Sequence, residues 1–216
     1  MQSTDAREQM IEQQVRAWDV LDGRILETLR QVPRERFVPP QQRFLAYADA
    51  EVPLPERQRM LRPSVVGRLL QALEPNAGQR VLEIGTGSGF VTACLRAAGA
   101  QVRSLELFAE LAALAAHNLS AFGMSDVEVI NADALNADTG ERYDAIAVTA
   151  SLPIYDPRFE RQLKVGGRLF VVVGEPPVMD ARLVRRMSEN AWATESLFET
   201  VIDPLVNAPQ PARFRF

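Results

Sequence analysis

A chain of 216 residues, 47% of them hydrophobic, is long enough for one well-buried domain with an appendage and too short for two large domains. Twenty-four basic against 28 acidic residues leave a formal charge of −4, and the ten arginines of residues 1–62 are matched by ten acidic residues, so no electrostatic case for a nucleic-acid partner exists. A single cysteine, Cys94, and a single histidine, His117, exclude an internal disulfide and a structural zinc site; no metal is expected, and both read as ordinary helix residues.

The amino terminus, "MQSTDAREQMIEQQVRAW", lacks the basic start and apolar core of a signal peptide, and nowhere do about 18 apolar residues run together, so a cytoplasmic protein without a membrane partner is expected. "REQMIEQQVRAW" and "DGRILETLRQV" carry apolar residues at helical spacing, with Asp22 as the cap of the second helix. The proline-rich "VPRERFVPPQQRF" ends that pattern, and the prolines and charges between Tyr47 and Arg62 predict an extended segment crossing a surface. "PSVVGRLLQALEP" resumes a helix, with Pro63 in its first turn.

From residue 76 strand and helix patterns alternate. "RVLEIG", "QVRSLEL", "VEVINAD", "YDAIAVTA" and "GRLFVVVG" read as strands; "GFVTACLRAAGA", "FAELAALAAHNLSAFG" and the short "DPRFERQLK" read as helices. Nearly all-apolar, β-branched strands in this alternation predict an α/β protein with a mainly parallel sheet and helices on both faces. The alternating "ARLVRRMSENAWATESLFETVI", broken at "SEN", predicts an antiparallel hairpin closing one sheet edge and brings the count to seven strands.

Such a sheet binds ligands at the carboxyl ends of its strands, which brings "GTGSG", Glu106, Asp133 and "TASLP" to one edge. Gly85, Gly87 and Gly89 permit a sharp turn and a close backbone approach, and the helix that follows adds partial positive charge. The dinucleotide fingerprint GxGxxG would need a third glycine where this chain has Phe90. A carboxylate at Glu106 can accept both hydroxyl hydrogens of a ribose, and one at Asp133 can accept from the exocyclic amine of adenine. Taken alone, the glycines make a plain turn, Glu106 a polar strand end and Asp133 a turn cap. Their occurrence in register on three successive strands describes a bound adenosine.

The stretch "VLEIGTGSGF" resembles motif I of class I S-adenosylmethionine-dependent methyltransferases. "VPRERFVP", "AYADAEVPLP", "YDAIAVTAS" and "QLKVGGRLFVVVG" are similar, in order and spacing, to the protein-L-isoaspartate O-methyltransferase family from about Gln13 to Gly174. The resemblance implies a Rossmann-like class I methyltransferase fold, with residues 1–75 as a helical and extended layer packed on a methyltransferase domain of residues 76–216. It implies S-adenosylmethionine as cofactor and S-adenosylhomocysteine as product. Gly85, Gly87 and Gly89 would lie at the methionine part, Glu106 at the ribose and Asp133 at the adenine, with Glu83, Thr86, Ser88, Leu107, Ala134 and Thr149 completing the set. The acceptors it implies are isoaspartyl residues of damaged proteins, whose methylation starts their return to aspartate through a succinimide. The oligomeric state is left open.

One departure bears on chemistry. The family pattern runs roughly G-Q-T-I-S-x-P, with the serine hydroxyl near the reacting methyl; aligned on Pro63, this chain reads "RQRMLRP", so Leu61 replaces the serine and Arg57 and Arg59 replace the glycine and threonine. A hydrocarbon cannot donate a hydrogen bond to an incoming carboxylate. Arg59 or Arg62 can offset that loss, since guanidinium suits carboxylate geometry, and Leu61, Arg59, Arg62 and Thr149 are the candidate acceptor-side residues. Two alternatives to the isoaspartyl activity follow from the departure: a different acceptor, or cofactor binding without turnover.

Overall fold

The strand pattern beginning at Arg80 folds as a seven-stranded sheet in the computed structural model, which describes residues 3–137 and 139–212. Its strands are β1 (Arg80–Ile84), β2 (Gln101–Glu106), β3 (Glu128–Asn131), β4 (Tyr143–Leu152), β5 (Leu163–Glu175), β6 (Val178–Ser188) and β7 (Ala191–Thr200), in the spatial order β3-β2-β1-β4-β5-β6-β7. Strands β1 to β5 pair in parallel, and β6 and β7 add on antiparallel. The chain lays β2 and β3 outward from β1, then returns to place β4 on the other side. The order therefore reverses between β1 and β4, the point where such sheets open a crevice.

Period-two alternation sorts the strand residues into two cores. Val81, Ala145, Ala147, Phe170 and Val172 face one way, and Leu82, Ile84, Ile146, Val148, Leu169 and Val171 face the other. On the first face lie α1 (Ser3–Gln9) with the turns that follow it, α2 (Gly23–Gln31), α3 (Pro63–Leu73), α4 (Phe90–Ala97) and α5 (Ala109–Ala121); Met10, Ile11, Leu29, Leu69, Cys94 and Leu111 join the sheet residues in one cluster. Asp22 caps α2 through the Arg24 N–H at 2.8 Å. The start of α3 is capped from a distance: Asp49 accepts from the Ser64 N–H at 3.1 Å and from its hydroxyl at 3.0 Å. That bond ties the proline-rich segment to the helix it precedes.

Four elements differ from the sequence reading. The first helix is not continuous: it widens into a π-turn at Met10–Val15 and tightens at Arg16–Trp18. The segment before α3 is not simply extended, because residues 52–53 and 59–60 pair antiparallel around a turn in which Glu56 and Arg57 take positive φ. The helix expected over "DPRFERQLK" shrinks to one 3₁₀ turn, Glu160–Gln162, because Leu163 is drawn into β5 opposite Tyr143. Helical cover of the second face is reduced to that turn, and Ala134, Leu152, Phe159 and Ala208 supply the rest. The hairpin begins at Val178, before the Ala181 expected, and turns at Glu189 and Asn190. Among the described residues, no helix is long and apolar enough to cross a membrane.

The N-terminal turns pack tightly on α3 at Gly67, where a Cβ would lie 2.6 Å from Val15 Cγ1 and 3.0 Å from Val20 Cγ2. Gly67→Leu is expected to lower unfolding free energy by about 1–3 kcal/mol through overpacking. Gly23→Ala, where a Cβ meets open space, serves as the control. Matched denaturant titrations check this, and a Gly67→Leu midpoint equal to wild type would contradict the packing.

Candidate active site

The glycine turn after β1 is held from both flanking strands. Gly85, Gly87 and Gly89 all have positive φ (90°, 56° and 86°), which only glycine adopts freely, and a Cβ on Gly85 would sit 2.5 Å from Thr149 Oγ1. From β4, the Thr149 hydroxyl donates to the carbonyls of Ile84 (2.9 Å) and Gly85 (2.6 Å). From β2, Glu106 accepts the Gly87 N–H at 2.8 Å and the Phe108 N–H at 3.1 Å. The turn's central N–H is thus engaged by Glu106 and is not free for a ligand. With Glu106 only 5% exposed, its carboxylate is fixed in the wall with lone pairs remaining.

Two chambers meet at this turn. The outer cleft is lined by Ile84, Gly85, Gly87, Glu106, Leu107, Asp133, Ala134 and Thr149, and also by Glu51, Gln58, Arg59, Leu61 and residues 202–206. The inner chamber is small and lies behind the turn among Arg34, Leu54, Met60, Leu61, Thr86, Ser88 and Phe90. Arg59, Leu61, Gly85, Gly87 and Thr149 border both. Asp133 also caps its own turn, accepting from the Leu135 N–H at 2.9 Å, from the Asn136 amide at 2.8 Å and from the Asn207 amide at 3.1 Å. The turn-cap role and a place in the cleft coexist. Gly89 borders neither chamber, and Glu83 lies wholly buried beneath the turn.

The two candidate arginines separate. Arg59 stands at the mouth, more than half exposed, at 3.4 Å from Glu51 and 3.5 Å from Asp203. Burial, and then Asp203, raise the Glu51 carboxyl above its ordinary range, while Arg59 pulls it back. Arg62 is turned away: its guanidinium lies 5.1 Å from the Trp18 ring centre and donates to Thr200 Oγ1 at 3.0 Å, and it borders neither chamber. Leu61 is 8% exposed and forms the partition between the chambers.

Sequence reasoning missed Arg34, Glu51, and the segment 202–206, which returns to the end of β4 through Ser151 N–H to Asp203 carbonyl (2.9 Å) and Leu205 N–H to Ser151 carbonyl (2.8 Å). No pattern in "VIDPLVNAP" marks that return. A charged residue between Pro33 and Phe37 in "VPRERFVP" was the available signal for Arg34.

The model of the protein-L-isoaspartate(D-aspartate) O-methyltransferase family matches residues 5–210. The chain belongs to this family. It is 38% identical over 215 residues to "Protein-L-isoaspartate O-methyltransferase 1" of Rhodopseudomonas palustris, covering 95% of this chain and 87% of that protein. It is 40% identical over 204 residues to "Protein-L-isoaspartate O-methyltransferase 2" of Pelobacter propionicus, covering 94% and 91%. Among solved structures, a Plasmodium falciparum protein described as a protein-L-isoaspartate O-methyltransferase in complex with S-adenosyl-L-homocysteine superposes with a TM-score of 0.82 at 18% identity, covering 92% of this chain and 97% of that one. At that identity the likeness is one of fold. The Rossmann-like class I methyltransferase architecture read from the family resemblance is the one observed, with the mainly parallel sheet and the closing hairpin.

Beneath the turn, burial pushes the Glu83 carboxyl up to about 7, against the pull of the Ser104 and Thr92 hydroxyls that donate to Oε2, and the nearby Glu106 adds to the rise. A carboxyl whose folded value lies above its unfolded one favours folding fully only below the unfolded value, about 4.5. Its contribution is lost as pH rises through about 7. Stability is therefore expected to decline between about pH 4.5 and 7, and Glu83→Gln to flatten that decline. Urea midpoints of both proteins at pH 5 and pH 7.5 test this; parallel slopes would show that Glu83 does not carry the effect.

Proposed function

We propose that this chain transfers the methyl group of S-adenosylmethionine to the carboxylate of L-isoaspartyl residues in damaged proteins, releasing S-adenosylhomocysteine. The observation that carries the reading is a cleft at the strand ends with carboxylates at Glu106 and Asp133, a left-handed glycine turn between it and the inner chamber, and a guanidinium at its mouth. These residues fit the cofactor: two acceptor side chains stand where ribose hydroxyls and an adenine amine need them, and Leu107 and Ala134 offer apolar contact to the base.

When bound, the cofactor supplies an electrophilic methyl on a sulfonium. The acceptor carboxylate is ionised at neutral pH, so the protein has no proton to remove and its work is orientation and exclusion of water. Glu106 holds the ribose and the turn together. Thr149, its hydroxyl spent on the two turn carbonyls, fixes the geometry and does not touch the acceptor. Arg59 orients the incoming carboxylate by exchanging its long contacts with Glu51 and Asp203 for a charge-assisted pair. Leu61 dries the partition beside it.

Calorimetric titration with S-adenosylhomocysteine is expected to show binding to wild type and a loss on the order of 1.5–3 kcal/mol for Asp133→Ala or Glu106→Ala. No heat with wild type would sink the cofactor assignment. Transfer from labelled S-adenosylmethionine is expected with an isoaspartyl peptide and absent with the matched aspartyl peptide.

Leu61 supports a second reading, a changed acceptor, because the cleft wall offers hydrocarbon where the family pattern has a hydroxyl. Leu61→Ser separates the two. If the isoaspartyl carboxylate is the acceptor, the added hydroxyl raises turnover about tenfold with cofactor affinity unchanged. Flat traces for both proteins, with cofactor binding intact, favour the changed acceptor.

A further inference from the structure

Arg34 is 1% exposed, yet among the described residues its guanidinium makes one hydrogen bond, from Nη2 to the Leu61 carbonyl at 2.8 Å. Nε and Nη1 have no partner among the described residues, and no carboxylate there lies within ion-pair distance. Arg168 Nη1 also lacks a hydrogen bond but sits 2.6 Å from the Glu74 carboxylate, so its charge is answered. The Arg34 guanidinium carbon lies 5.0 Å from the centre of the Phe90 ring, and the Asp49 carboxylate acts on its charge from beyond ion-pair distance. Burial lowers its pKa to about 10, which leaves it protonated at neutral pH. A buried cation with no ion-pair partner and two unpartnered donors is unfavourable and is relieved by an arriving anion.

Arg34 lines the inner chamber together with Thr86, Gly87 and Ser88 of the turn. The two spaces share Gly85, Gly87 and Thr149 in their walls, so a ligand with its nucleoside at Glu106 and Asp133 would carry its far end toward the side of the turn where Arg34 lies. We propose that Arg34 pairs with the α-carboxylate of the cofactor's amino-acid part. The inference rests on the reading of the cleft as an adenosylmethionine site. An acceptor carboxylate is the poorer match: Arg59, which borders both chambers and is more than half exposed, meets it before the buried Arg34.

The test compares S-adenosylhomocysteine with 5′-methylthioadenosine, which keeps the nucleoside and lacks the amino-acid part, on wild type, Arg34→Met and Arg34→Lys. Arg34→Met is expected to weaken S-adenosylhomocysteine roughly tenfold to hundredfold and methylthioadenosine less than about threefold, with Arg34→Lys between wild type and Arg34→Met. A difference confined to the carboxylate-bearing ligand is a signature that general loosening of the fold does not produce. Should Arg34→Met fail to fold by thermal unfolding, the Arg34→Lys ratio decides. Equal losses for both ligands, or unchanged S-adenosylhomocysteine affinity with a raised KM for isoaspartyl peptide, overturn the assignment. Wild type that binds neither ligand overturns the cofactor reading itself.

Discussion

The site depends on one constraint, the pinning of the Gly85–Gly89 turn between the strands on either side of β1. Left alone, three alternate glycines in left-handed conformations would be among the most mobile stretches of the chain. Instead Glu106 on β2 holds the Gly87 N–H, and Thr149 on β4 holds the carbonyls of Ile84 and Gly85. Both anchors are placed by sheet register, with Ile84 opposite Leu105 on one side and opposite Val148 on the other. A one-residue slip of either neighbour would send the anchoring side chain to the wrong face. The turn therefore inherits the rigidity of the sheet, and the two chambers it divides keep a fixed relation.

Two buried ionisable side chains sit close to that turn and are treated oppositely. Glu83 lies below it, where burial raises the carboxyl to about 7 and the hydroxyls of Thr92 and Ser104 satisfy one oxygen. It behaves as a group close to neutral, tolerable in an apolar layer. Arg34 lies beside the inner chamber and cannot neutralise in the same way, since a guanidinium lowered to about 10 is still charged at neutral pH. The first has Oε2 held by hydroxyls and Oε1 without a hydrogen-bond partner among the described residues, and its raised pKa lets it shed its charge. The second stays charged, with two unpartnered donors on a residue that lines the inner chamber, and that is what the proposed cofactor contact rests on.

Much of this was legible because strand chemistry repeats over long stretches. The alternation in "YDAIAVTA" and "GRLFVVVG" sorts side chains to two faces, and the strand ends then fall into line, so Gly85, Glu106 and Asp133 reach one cleft. Local patterns failed where tertiary pairing outweighed them. Leu163 left a helical pattern because Tyr143 offered it a strand partner. The start of α3 took its cap from Asp49, fifteen residues upstream, which no local motif encodes. Residues 202–206 enter the cleft wall only because β7 delivers the chain back to Ser151. Sequence could not separate Arg59 from Arg62 either, since their difference lies in partners contributed by residues 18, 51, 200 and 203.

That difference governs how the Leu61 departure can be tolerated. Arg62 is stacked on Trp18 and bonded to Thr200, so recruiting it would break a packed arrangement for one new contact. Arg59 holds its two acidic neighbours at 3.4 and 3.5 Å on an exposed side chain, and ion pairs of that kind contribute little, at most about 1 kcal/mol. Exchange for an acceptor carboxylate is therefore nearly free, provided the acceptor reaches the mouth. A serine hydroxyl in the partition would act closer in and by direction; a guanidinium at the mouth acts by charge and reaches further out. In this reading the chain replaces a short neutral donor with a flexible cation and lets hydrocarbon keep water from the partition. The geometry that follows is looser toward the acceptor's shape and stricter toward its charge.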